Sequence, residues 1–188
     1  MKTINITRYS SDINFPIIQA MPIVLEKNIL KRFFKFMVYR RKWKVIKDYC
    51  LWVPMLGMWI FIPEGFIYDG ASVPKILNGL YSPTGMLLLG AAPHDFGYRY
   101  EGLFKVEYNG TLSFVPYTKS ELDYAFKQIC SYESGMKTAS SAATMTLGLA
   151  GHLGWIENRK KNCILINDFP ELFVDEGVSN ESTEEHTR

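Results

Sequence analysis

The stretch from Trp43 to Asp69 constrains the fold more than any other part of the chain, because its apolar residues recur at strand period between closely spaced turn signals. Trp43, Val45, Ile46, Tyr49, Leu51 and Val53 lead to Pro54, and a turn through Leu56-Gly57 precedes Met58-Trp59-Ile60-Phe61-Ile62. Pro63-Glu64-Gly65 then predicts a tight corner before Phe66-Ile67-Tyr68. Short strands joined this tightly pair antiparallel, and the last of them delivers Asp69 at its end, where a loop on a rigid scaffold displays functional groups. Upstream, Phe15 to Leu25 is apolar and β-branched with Pro16 and Pro22 at its edges, which predicts an edge strand.

Helical signals follow. Ser72 can cap a short helix from Val73 with Pro74 in its first turn. Met86 to Tyr100 is the expected central helix, with Pro93 set to kink it or to mark a restart directly before His94. Leu103 to Val115 reads as a hairpin whose Asn109-Gly110 signals a type I′ turn. Thr118-Lys119-Ser120-Glu121 has the form of a capping box and opens a helix through about Cys130. Ser134 to Trp155 is a final helix with small residues on one side. The fold class is therefore α+β: a small antiparallel N-terminal sheet, then a helical core of His-bearing helix, hairpin insertion, Asp-bearing helix and final helix. Residues 1–26 are read as an arm and edge strand, 27–44 as a basic amphipathic helix, 43–157 as the core, and 158–188 as a polar, partly disordered tail.

A chain of 188 residues can bury a core without disulfides, and 47% hydrophobic content supports a globular domain. Cys50, Cys130 and Cys163 are odd in number and widely spaced, which fits a reducing compartment and gives no zinc pattern. No signal peptide and no membrane-spanning segment is read, so the chain is expected to be soluble or peripheral. The net charge of +2 names no partner, but its distribution does, since residues 27–44 carry eight Lys or Arg and no acid. Ile29, Leu30, Phe33, Phe34, Met37 and Val38 fall at helical spacing within that stretch. Such a helix can pack its apolar stripe on the core, lie on an anionic membrane surface, or meet nucleic acid. Nucleic acid ranks last, because no nucleic-acid-binding motif accompanies the charge.

The chemistry gathers between Phe66 and Tyr98, in Asp69-Gly70-Ala71-Ser72-Val73-Pro74 and His94-Asp95-Phe96-Gly97-Tyr98. On a helix His94 and Tyr98 share a face while Asp95 is rotated by about 100°. One face can thus hold a general base and the next a ligand. Asp123, in the first turn of the following helix, is placed to orient the imidazole if the two helices run antiparallel. Asp69, Asp95 and carbonyls around Gly70 would offer oxygen-only ligation, which suits Ca²⁺. Plainer roles exist for each: Asp69 as a turn former, Asp123 as a helix-dipole partner, and His152 as a packing residue.

The order DGAS-V-P, then HDFGYR, then an Asp in a later helix resembles the phage and prophage family called domain of unknown function 1353, over roughly Trp43 to Trp155. The same runs resemble, locally, the bacterial and fungal secreted phospholipase A₂ family. That second resemblance implies that His94 activates water, Asp123 orients His94 and Tyr98 supports Asp123. It also implies that Asp69, the Gly70 carbonyl and Asp95 hold Ca²⁺. Ala71 and Ala91 stand near the positions of that family's disulfide, and they are expected to be neighbours. Two functions follow as expectations. One is a calcium-dependent lipid or ester hydrolase of phage type, drawn to anionic membranes by residues 27–44. The other is a non-enzymatic phage or prophage virion component or host-interaction protein, in which the motif is a structural hydrogen-bond network. The expected location is host cytoplasm or virion, with other phage proteins as partners.

Overall fold

The computed structural model describes residues 2–5, 16–22, 27–28, 30, 42–53, 56–69, 88–134, 155–156 and 164–173. Strands β1 (Ile18–Ala20), β2 (Trp43–Val45) and β5 (Ile67–Tyr68) form one antiparallel sheet in the order β1-β2-β5. Strands β3 (Tyr49–Val53), β4 (Met58–Ile62), β6 (Gly102–Val106) and β7 (Leu112–Pro116) form a second in sequential order. Helix α1 spans Leu88–Tyr100 and helix α2 spans Lys119–Ser134. A single helical turn, Leu165–Asp168, and a 3-10 turn, Pro170–Leu172, follow. The mixed α+β class holds, with the β1 segment at a sheet edge as its prolines require.

The strand-like run from Trp43 to Val53 is two strands in two sheets. Between them Asp48 turns the corner: its Oδ1 accepts the Glu64 N–H at 2.9 Å and its Oδ2 meets the Lys2 ammonium at 2.6 Å. Ile46 N–H bonds back to the Ile17 carbonyl at 2.8 Å, and Gly65 N–H to Val45 at 2.9 Å, so the ladder stays with the first sheet. Trp43 and Lys44, expected to end the basic helix, are instead paired in that sheet with Tyr68 and Ile67. The rest of that helix lies outside the described residues, apart from residues 27, 28, 30 and 42. The capped helix from Val73 and nearly all of the final helix also fall outside them.

The hairpin 102–116 is less an insertion between helices than the outer half of the second sheet, because β6 pairs with β4 from Trp59↔Val106 to Phe61↔Phe104. Its turn differs from type I′. Gly110 N–H bonds the Glu107 carbonyl at 2.8 Å, and only Gly110 (φ 83°) takes the left-handed conformation, not Asn109. This is a type I turn closed by a glycine bulge. Asn109 Oδ1 accepts the Thr111 N–H at 3.0 Å and thereby finds a use that a left-handed Asn would forgo. The capping box forms as read: Thr118 N–H donates to Glu121 Oε2 at 2.8 Å, and Glu121 N–H reaches Thr118 Oγ1 at 3.4 Å.

Helix α1 runs through Pro93 without a break, although Pro93 has no N–H to give the Leu89 carbonyl. Two glycines on one of its faces set how α2 packs. A Cβ on Gly90 would stand 2.7 Å from Cys130 Sγ, and one on Gly97 would stand 2.3 Å from Leu122 Cδ2. The early residue of α1 meets the late residue of α2 and the reverse, so the helices are antiparallel and in close approach. Behind them Phe66, Phe96, Phe104 and Leu103 are buried between α1 and the sheets, with Phe96 edge-on to Phe66 at 5.0 Å. Among the described residues no helix is long and apolar enough to cross a membrane.

Candidate functional site

Antiparallel packing of α1 on α2 places His94 beside Asp123. His94 Nε2 lies 3.0 Å from Asp123 Oδ1, and Tyr98 Oη donates to the same oxygen at 2.5 Å. The other oxygen, Oδ2, accepts the Lys119 ammonium at 2.6 Å across one helical turn. His94 is 6% exposed, with the Tyr98 ring 4.1 Å and the Phe126 ring 5.1 Å from its own. A group so buried cannot reorient without disturbing packing, so the partner of each nitrogen is fixed.

Burial alone would raise the Asp123 pKa, but hydrogen bonds from His94, Lys119 and Tyr98 overcome it and hold the carboxyl down at about 2. Asp123 is therefore an acceptor at any ordinary pH, and Nε2 must carry a proton. In the neutral imidazole the lone pair then belongs to Nδ1. That nitrogen faces Asp95 Oδ1 at 3.6 Å, longer than a hydrogen bond. Burial lowers the His94 pKa, yet the Asp123 and Asp95 carboxylates outweigh it and the net shift is upward.

Asp95 is the strained member. Burial, joined by the nearby Asp69 carboxyl and opposed by His94, pushes its pKa up to about 7. Its Oδ2 is buried with no hydrogen-bond partner among the described residues. Asp69 reaches this point because Arg99 fastens β5 to α1. The Arg99 guanidinium donates at 2.7 Å to the carbonyl of Ile67, two residues before Asp69, and lies 4.9 Å over the Phe66 ring. The Tyr68 hydroxyl, raised in pKa by burial and then by Asp95, is also buried with no hydrogen-bond partner among the described residues.

The site thus has two halves sharing α1: the His94–Asp123 pair with Tyr98 and Lys119, and the Asp69–Asp95 carboxyl pair. An orphaned, buried carboxylate oxygen beside a second carboxyl is a donor set fit for a hard cation, which would relieve the repulsion that protonation now relieves. Among the described residues no three His, Cys, Asp or Glu side chains surround one point suited to a metal. A cation here would rest on the two carboxylates with backbone and water oxygens completing its shell. Gly70 and Ala71 lie outside the described residues, as do His152 and His186, while Ala91 is buried in α1. The expected closeness of Ala71 to Ala91 is therefore not described. Lys119 and Arg99 had no assigned role in the sequence, although each stands four residues from a site carboxylate, the spacing at which helical charges meet.

A family described as protein of unknown function, DUF1353, matches the chain over residues 43–142. No curated protein and no solved structure matches it.

Proposed function

The chain belongs to the DUF1353 family, and from that premise we propose that it is a calcium-dependent lipid or ester hydrolase of phage type, working through His94 and Asp123. The observation that carries the reading is the division of labour on the imidazole: Nε2 is committed to Asp123 at 3.0 Å, and Nδ1 is turned toward Asp95 at 3.6 Å. A water at Nδ1 can lose its proton there, and Asp123, kept ionised by Lys119 and Tyr98, stabilises the imidazolium that results. Tyr98 and Lys119 keep the Asp123 carboxylate aimed at Nε2 through the proton's transfer. When bound at Asp69 and Asp95, calcium would supply polarisation of an ester carbonyl and stabilisation of the developing oxyanion. Residues 27–44, with eight basic side chains, would bring the enzyme to anionic membranes.

Fatty-acid release from mixed phospholipid vesicles, with and without Ca²⁺, tests this directly. Calcium-dependent release should fall by about 100-fold or more in His94→Ala, the scale of a lost general base, and also be lost in Asp95→Ala. Release no greater than that of the variants across lipid compositions and pH would overturn it.

One observation favours a second reading. His94 at 6% exposure, packed between the Tyr98 and Phe126 rings, is also what a core residue in a structural network looks like. On that reading the protein is a non-enzymatic phage or prophage component, in host cytoplasm or virion, that binds phage or host proteins. The vesicle assay separates the two.

A further inference from the structure

At the turn end of the second sheet, away from every residue of the His94 site, Trp52 and Trp59 face each other across β3 and β4. Their ring centroids are 5.6 Å apart and the planes are tilted by 52°. Next in register stands Val106 of β6, and beyond it the turn carries Tyr108, 99% exposed. Trp52, Trp59, Val106 and Tyr108 line an open groove of about 270 Å³ at this end of the sheet, and Gly57, Met58, Lys105 and Glu107 complete its lining.

An aromatic residue wholly in water gives nothing to the fold, and here its support is rigid. The Glu107–Gly110 hydrogen bond closes the turn, Asn109 braces Thr111, and Glu107 Oε1 accepts the Ser113 hydroxyl at 2.7 Å. A Cβ on Gly110 would stand 2.4 Å from the Ile4 carbonyl oxygen, so the turn is also packed on the N-terminal segment. Tyr108 is thus displayed on a preorganised element beside two indoles, as a binding anchor requires.

The polar groups decide the ligand. Lys105 Nζ and Glu107 Oε2 are 3.1 Å apart, which places one donor head and one acceptor head side by side with no net charge. A phosphate ester would meet the Glu107 carboxylate, and nucleic acid is disfavoured for that reason. A proline-rich segment suits aromatic grooves but has no side-chain donor to offer an acid. A sugar ring fits both features: its axial C–H face lies on an aromatic ring, and its vicinal hydroxyls both donate and accept. The volume lies just below the roughly 300 Å³ at which drug-sized sites begin, enough for one or two rings.

We propose that the groove formed by Trp52, Trp59, Tyr108, Lys105 and Glu107 binds a neutral saccharide. The site stands on its own, since none of these residues belongs to the hydrolytic pair. The test titrates the full chain calorimetrically with chitohexaose, cellohexaose, maltohexaose and mannohexaose. At least one should bind saturably, and affinity should drop at least about tenfold, or 1.4 kcal/mol, in Tyr108→Ala and Glu107→Gln while Tyr108→Phe retains it. Tyr108 is so exposed that its removal leaves the fold intact, which keeps the result interpretable if a Trp59→Ala variant fails to fold. Absence of binding by all four up to about 10 mM, weaker than any useful lectin-like contact, overturns the proposal. Binding that survives both Tyr108→Ala and Glu107→Gln, or a polyproline peptide binding this surface where the sugars do not, overturns it equally.

Discussion

Asp123 places three donors on two oxygens, and this saturation gives it consequences for stability as well as chemistry. Its pKa in the fold is about 2 against an ordinary value of 3.8, so its stabilising contribution is complete above about pH 4 and is lost as pH falls toward 2. The contribution is on the order of 2 kcal/mol. His94 acts in the opposite direction: its raised pKa stabilises below 6.5 and the benefit fades as pH climbs through the folded value. Urea midpoints measured from pH 2 to 8 should therefore fall more steeply below pH 4 for the wild type than for Asp123→Asn. Parallel acid limbs for the two proteins would contradict the assigned role. At this scale the sequence was readable where chemistry imposes spacing. His94 and Tyr98, four apart on one helix, do share Asp123. Lys119 and Arg99 escaped because a basic residue on a helix ordinarily faces solvent, and nothing local shows that its partner is a partly buried carboxylate or a strand carbonyl.

Helices α1 and α2 meet where Gly97 admits Leu122, a side chain only 1% exposed. Gly97→Ala forces a methyl to within 2.3 Å of Leu122 Cδ2, and overpacking of this kind costs about 1–3 kcal/mol. The variant should lower the urea midpoint accordingly and move the His94 titration downward as Asp123 is pushed away. In the Gly97→Ala/Leu122→Ala double variant the two losses should be strongly non-additive, since the second change removes the atom the first collides with. Simple addition would mean that the interface is not the site of strain. Elements whose signals are local, such as the capping box at Thr118 and the hairpin around Asn109-Gly110, were legible from short ordered motifs. The turn type was not, because Asn109 has two uses and the choice depends on Thr111, Ser113 and the packing of Gly110 on Ile4. Nor was the split of 43–53, which depends on Lys2 and Glu64, both distant in sequence from Asp48. The basic segment makes its own prediction: vesicle sedimentation on anionic lipid should weaken when Lys31, Arg32 and Lys35 are reversed in charge, each near-surface cation being worth about 1 kcal/mol. Unchanged sedimentation would remove the membrane surface from the proposal.

Among the described residues two sheets and two helices converge on one pair of carboxyls, Asp69 beyond the first sheet and Asp95 on α1, with Arg99 fixing the approach. No pattern in the sequence discloses that convergence, because it depends on which sheet each strand joins. An Asp95 raised to about 7 favours folding when protonated, so its contribution is present below about pH 4 and is lost as pH rises through 7. Without a cation the fold should therefore be weakened on the alkaline side, and Asp95→Asn should melt higher than the wild type at pH 8. A site kept at the expense of stability is the usual mark of function. Calcium should reverse the order. At about 100 times its dissociation constant a ligand bound only by the folded state adds about 2.7 kcal/mol, which for a chain of this length raises Tm by about 5–10 °C. The shift should be largest at pH 8, smaller at pH 5 where protons compete for Asp95, and small for Mg²⁺, which resists dehydration into an irregular oxygen site. It should vanish in Asp95→Asn. Equal melting temperatures with and without calcium at pH 8, or an equal shift in the Asn variant, would take the cation out of this site.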